Sequence, residues 1–195
     1  MNNKNTRRLV ETAVMLALAT LFSMIQLYKA PFGGSVTLVS MLPVIVVAYR
    51  YGTKWGILSG LTYGALQLVV GLDALRGVSL TTFVGSLFLD YLLAFGMCAL
   101  GATFRKMKSQ KIGLPLGVFM AGAARFVCHY LSGILLWSVY AQDYGMMPAY
   151  YSLVYNGGYM LPETLITIVA AVLLSLVLDF RNENITDRSE SAVRV

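Results

Sequence analysis

The sequence predicts an all-α integral membrane protein, a six-transmembrane-helix bundle with both termini in the cytoplasm. Three observations lead there. Of 195 residues, 57% are hydrophobic and only 12% charged, with a mean hydropathy of +0.69, whereas soluble domains carry about a quarter charged residues. A large core does not account for the missing charge, because at this length much of the surface still meets its solvent, and lipid is the solvent that suits it. The apolar residues also fall into runs that meet or approach the roughly 20 needed to cross the hydrocarbon layer. Finally, the basic residues collect on alternate connections between those runs.

In chain order the runs are 9–28, 36–50, 54–72, 83–104, 113–141 and 152–179. The first follows Arg7 and Arg8 as a signal peptide would, but its length predicts a retained helix. The second is short and contains Pro43, so 36–72 has a re-entrant pair as an alternative. The third carries Gly52, Gly56, Gly60 and Gly64 at steps of four, a ridge without side chains that lets another backbone approach closely. Ala13 and Ala17 make a second small-residue pair on the first run. The intervening stretches 1–8, 29–37, 73–82, 105–112, 142–151 and 179–195 are too short for a soluble catalytic domain, so 1–195 reads as a single membrane domain. No internal repeat is visible, and an inverted-repeat transporter is not supported.

Six spans put Lys4, Arg7, Arg8, Arg50, Lys54, Arg105, Lys106, Lys108, Lys111, Arg181, Arg188 and Arg194 on one side and only Lys29 and Arg76 on the other. An odd number would place the two basic tails on opposite faces, so charge asymmetry favours six spans with both ends inside. The same interleaving argues against a nucleic-acid surface, despite a net charge of +6, because no basic stripe forms along one face. Cys98 and Cys128 lie within apolar runs and read as packing residues, not as a disulfide or metal pair.

Ionisable residues inside apolar spans are costly and point to function. Here they are Asp90, Arg125, His129 and Glu163. Arg125, His129, Gly133 and Trp137 follow one another at steps of four, and each step drifts only about 40° around a helix, so they share a broad face that suits an interior better than lipid. The bland alternative is a hydrogen-bonded bundle histidine and an interfacial indole. The segment from Asp143 to Tyr159 then supplies five tyrosines, Tyr151 among them, together with Asn156. Tyrosines offer flat apolar faces with a polar tip. This inventory suits a flat, partly polar, cationic molecule whose charge aromatic faces attract and Asp90 balances; alternatively, Arg125 pairs with Asp90 or Glu163 in a structural ion pair. The chain contains no G-x-x-x-x-G-K-[ST] phosphate loop, no HExxH zinc motif and no Gly-x-Ser-x-Gly elbow. No catalytic residue, cofactor or metal is predicted, and a captor without an ATP-hydrolysing phosphate loop implies a partner that supplies the energy.

Three stretches carry a family resemblance: Leu-Asp-Tyr-Leu-Leu-Ala-Phe-Gly at 89–96, Arg-Phe-Val-Cys-His-Tyr-Leu-Ser-Gly at 125–133 followed by Trp137, and Tyr-Ser-Leu-Val-Tyr-Asn-Gly-Gly-Tyr-Met-Leu-Pro-Glu at 151–163. With them the sequence resembles, over essentially its full length, the thiamine-specific substrate-capture subunits (S components) of bacterial energy-coupling factor (ECF) transporters. The resemblance implies six helices, a cavity near the outer face and no enzyme activity. It implies that Trp137 and His129 stack on thiamine, that Asn156 and Tyr151 hydrogen-bond it, and that Asp90, where the family has Glu, engages the aminopyrimidine or the thiazolium charge. Tyr91, Gly133 and Tyr63, the last standing where Trp is expected, complete the implied site. The first outer loop has Phe32 and no Trp. Ala13 and Ala17 match the motif by which such subunits dock on a transmembrane coupling subunit that works with two ATPase subunits in a lipid bilayer. The competing readings are the same module for another flat vitamin or a thiamine precursor, and a partner-independent proton-coupled transporter using Asp90, His129 and Glu163 as a relay.

Overall fold

A computed structural model describes residues 3–181 and 186–187. Helix α1 (Asn3–Met24) leads into a hairpin of β1 (Gln26–Lys29) and β2 (Ser35–Thr37), followed by α2 (Leu42–Tyr51) and α3 (Thr53–Val70). Helix α4 (Leu80–Ala102), α5 (Gln110–Leu135), the short α6 (Val139–Asp143) and α7 (Pro148–Val177) complete the bundle. Leu178–Asp179 and Thr186–Asp187 form a minimal antiparallel pair at its end.

Among the described residues, α4, α5 and α7 are long and apolar enough to cross a membrane. Their outward residues include Phe88, Phe119, Val127, Leu135, Leu161, Val169 and Leu173, all more than half exposed. That much uncovered apolar surface is far beyond what a soluble monomer shows and fits lipid. At about 1.5 Å per residue the 30 residues of α7 reach about 45 Å, further than the hydrocarbon layer. Helix α1 has the length but opens with Arg7, Arg8 and Glu11, and α3 is diluted by glycines and Gln67.

Several expected boundaries move, each for a local reason. The span predicted at 36–50 starts at Leu42, because Pro43 fits only the first helical turn. Residues Leu42–Arg50 are all buried, so α2 is a central strut enclosed by protein, which lets it be short. The stretch before it, expected as a plain loop, is an antiparallel hairpin pairing Tyr28 with Val36 and Lys29 with Ser35, so the fold is not purely helical. The span expected at 113–141 breaks after Leu135 and resumes as α6, so Trp137 lies beyond the helix that carries Arg125, His129 and Gly133.

The glycine ridge of α3 makes the backbone approach that its spacing predicts. A Cβ on Gly60 would stand 2.5 Å from the Phe95 carbonyl oxygen, and one on Gly64 2.7 Å from that of Tyr91. Helix α4 therefore lies directly against α3. At the termini end, the Glu11 carboxylate takes Arg7 and the buried Arg50, each at 3.1 Å, and the Tyr51 hydroxyl. Arg50 also donates to the Phe180 carbonyl at 2.9 Å. This clasp joins α1, α2 and the chain end beyond α7.

Gly60→Ala forces its methyl against backbone that cannot rotate away, and about 1–3 kcal/mol of destabilisation is expected. Gly157→Ala on α7 meets nothing within 4 Å and should be neutral or stabilising, since alanine favours helix interiors. Thermal unfolding of both variants in detergent checks this; a melting temperature unchanged by Gly60→Ala would contradict the close approach.

Candidate ligand-binding site

At the hairpin end the bundle encloses a cavity of about 260 Å³, bounded by α1, α3, α4, α5, α7 and the hairpin. Its chemistry centres on Asp90. That residue lies in a π-helical stretch, Leu87–Leu93, within α4. Such wide turns recur at functional sites because they redirect a side chain without ending the helix. The Asp90 carboxylate accepts from Ser132 Oγ at 2.7 Å and Trp137 Nε1 at 3.2 Å on Oδ2, and Oδ1 lies 3.0 Å from His129 Nδ1. His129 Nε2 is buried without a hydrogen-bond partner among the described residues.

Aromatic rings form the walls. Phe32 of the hairpin stacks on Tyr140 with centroids 4.0 Å apart, and Tyr140 is nearly parallel to Trp137 at 5.8 Å. Tyr151 lies between Tyr144 at 5.4 Å and Tyr155 at 5.7 Å, and Tyr155 comes within 6.4 Å of Phe32. Asn156 braces the interior: its amide donates to the carbonyl and hydroxyl of Ser152 and to the His129 carbonyl, and its oxygen accepts from the Tyr159 hydroxyl at 2.8 Å. A Cβ on Gly133 would collide with Ser152, so this glycine permits α5 and α7 to meet here.

Asp90, Tyr91, His129, Gly133, Trp137, Tyr151 and Asn156 all line the cavity. Tyr63 does not reach it. Its ring is fully buried in the core, edge-on to Phe95 at 5.0 Å, and its hydroxyl donates to the Ala19 carbonyl at 3.1 Å. Tyr63 fills the α1–α3–α4 junction because it projects from the α3 face that abuts those helices. Arg125 lines the cavity but makes no ion pair among the described residues. Its guanidinium sits 4.4 Å over Phe95 and donates to Met41 Sδ at 2.8 Å. Glu163 is engaged by Thr37, whose amide and hydroxyl donate to its two oxygens at 2.5 and 2.7 Å. Asp90, His129 and Glu163 therefore form no continuous hydrogen-bonded relay among the described residues.

Sequence reasoning missed several members of this end of the bundle. Ser132 gave no signal beyond its spacing from His129. Gln67 donates to Ser23 at 2.9 Å and both line the cavity; the signal was an amide within an otherwise apolar run. Tyr155 receives the Gly34 amide at 3.0 Å and donates to the Pro31 carbonyl, seating the hairpin on α7. Ala13 and Ala17 are exposed on α1 beside Val10, Val14 and Leu21, away from the cavity.

Residues 9–181 match the family model described as thiamine transporter protein (Thia_YuaJ). The chain is 30% identical to the thiamine transporter ThiT of Bacillus subtilis over 88% of its length and 92% of the relative's. It is 28% identical to the thiamine transporter ThiT of Lacticaseibacillus paracasei, covering 87% of each. A solved structure of ThiT from Listeria monocytogenes superposes with a TM-score of 0.73 at 27% identity, covering 89% of this chain and 95% of that one.

Glu163→Ala would leave the buried Thr37 amide without its acceptor, a loss of about 1–3 kcal/mol, while the Thr37 hydroxyl keeps Ser40 Oγ at 2.8 Å. Because the bond joins the hairpin to α7, hydrogen exchange should quicken at Gln26–Thr37 while the amides of α2 stay protected. Equal acceleration in both segments would show that Glu163 supports the whole bundle instead of the hairpin.

Proposed function

The chain belongs to the thiamine transporter protein family, and on that premise we propose that it captures thiamine in the hairpin-capped cavity as the S component of an energy-coupling factor transporter. It is a multi-pass protein of the cell membrane and binds its vitamin for transport, not for catalysis. The observation that carries the proposed site is a carboxylate, Asp90, held by three donors within an aromatic cavity. A carboxylate in a water-poor site complements a cation, and flat aromatic faces stack on planar rings and attract their charge. In this reading Asp90 faces the thiazolium or the aminopyrimidine. Trp137 and His129 stack on the ligand, Tyr151 and Asn156 contribute polar contacts, and Tyr91 and Gly133 shape the walls. Asn156 then acts as much by bracing α5 against α7 as by touching the ligand, because its amide is already occupied.

We read the chain as one membrane domain of six crossings with cytoplasmic termini, the hairpin end facing outward. The basic residues at the connections support this orientation. No nucleotide-binding motif occurs in the sequence, which supports a transmembrane coupling subunit and two ATPase subunits as the source of energy. Exposed Ala13 and Ala17 present a shallow strip on which another helix can lie closely, and we assign docking of the coupling subunit to them.

Thiamine should quench the fluorescence of Trp137 saturably. The other tryptophan, Trp55, donates to Thr12 near the opposite end and should not respond, so Trp137→Phe removes the signal. A saturable response to riboflavin with none to thiamine would overturn the choice of vitamin. Ala13→Trp and Ala17→Trp should leave thiamine affinity within about twofold yet abolish uptake with the coupling module, since both positions need small side chains for close helix contact. Normal uptake, or lost binding, would remove them from docking.

A further inference from the structure

Ser132 is fully buried and is not among the cavity-lining residues, so its hydroxyl reaches no ligand directly. It donates instead to Asp90 Oδ2 at 2.7 Å, the shortest of the three contacts to that carboxylate. A carboxylate offers about four acceptor positions. Ser132 and Trp137 share Oδ2 while His129 lies against Oδ1, so the carboxylate is pinned on α5 with one position left open. The Ser132 carbonyl also accepts the amides of Leu136, at 2.8 Å, and Trp137, at 3.3 Å. One residue thus organises both the acid and the chain turn that carries the indole. Asp90 lines the same cavity as Arg125, which makes no ion pair among the described residues. Fixing the carboxylate on α5 keeps its charge for a ligand and away from that guanidinium.

We propose that Ser132 is a positioning residue that fixes the Asp90 carboxylate as the counter-charge for the cationic ring of the ligand, and so sets the preference for a charged over an uncharged vitamin analogue. The proposal rests on the reading of this cavity as a thiamine site. It also explains how an aspartate serves in this place. The short side chain from the π-helical turn meets a hydroxyl on the facing helix, whereas a glutamate, one methylene longer, would carry its carboxylate past Ser132.

The test measures affinity for thiamine and for its uncharged isostere, in which a thiophene replaces the thiazolium, on the full-length protein in detergent. Ser132→Ala removes only the hydroxyl and keeps the backbone contacts to Leu136 and Trp137. It should weaken thiamine binding about tenfold, as expected for loss of one charge-assisted hydrogen bond, while changing affinity for the thiophene less than about twofold. Ser132→Thr, which keeps the hydroxyl, should restore the preference. Asp90→Glu should cost thiamine affinity in the unaltered background and cost less when combined with Ser132→Ala, because the two side chains share one space. Equal losses for both ligands in Ser132→Ala, no loss for either, or the same cost of Asp90→Glu in both backgrounds would overturn the positioning role and leave the thiamine site standing. If the unaltered protein binds neither compound, the site reading fails together with the proposal.

Discussion

A carboxylate brought to membrane depth loses several kcal/mol of hydration unless donors replace the water. Meeting that demand at Asp90 organises the hairpin end of this protein. The donors come from α5 and the turn beyond it: His129, Ser132 and Trp137. For them to reach, α4 must expose Asp90 toward α5, which its π-helical stretch accomplishes. Helix α4 must also be held at a fixed depth, and the glycine ridge of α3 does this by abutting the carbonyls of Tyr91, within the π-helical stretch, and Phe95, just beyond it. The break after Leu135 completes the arrangement, because it swings Trp137 off the helix and aims its indole N–H at the acid.

The same rule recurs wherever a polar group enters the apolar interior. Glu163 meets Thr37, Gln67 meets Ser23, and Asn156 is saturated by Ser152, His129 and Tyr159. The bonds of Glu163 to Thr37, Gln67 to Ser23 and Asn156 to the His129 carbonyl each join two elements distant in sequence. Polar residues therefore serve as the specific joints of a bundle whose apolar packing against lipid is largely non-directional. Among the described residues, Arg125 Nε, His129 Nε2 and Ser86 Oγ depart from the rule, and the first two belong to residues that line the cavity.

In the proposed function the two ends of the molecule divide the labour of a capture subunit. The hairpin end holds the acid, the aromatic walls and a β-hairpin seated on α7 by Tyr155 and Glu163. The termini end is tied by Glu11 and Arg50 and presents Ala13 and Ala17 on an exposed face of α1. Central α2, buried on all sides, connects the two. This arrangement fits a family of thiamine transporters and the proposed reliance on a separate engine.

By itself the sequence determined the solvent, the approximate bounds of the long apolar helices and most of the residues that line the cavity. Those follow from one-dimensional quantities: apolar run length, the placement of basic residues, and the rarity of Asp90, His129 and Asn156 in apolar surroundings. Asp90 and His129 stood out as ionisable residues in apolar runs, Gly133 and Trp137 by their spacing from His129, and Tyr151 and Asn156 by the tyrosine-rich segment, whereas Tyr91 came only from the family resemblance; all seven line the cavity. What only the tertiary structure decided concerns direction and partnership. Tyr63 is as aromatic as Tyr151, yet its face of α3 meets the core and not the cavity. Arg125 was open to pairing with an acid, but Asp90 is taken by α5 and Glu163 by the hairpin. Helix boundaries shifted where a single proline, a chain break or a π-helical turn redirected the backbone. Such choices depend on which neighbour arrives at 3 Å, and neighbours more than 30 residues apart, as Asp90 and Ser132 are, leave no periodic trace in the chain that joins them.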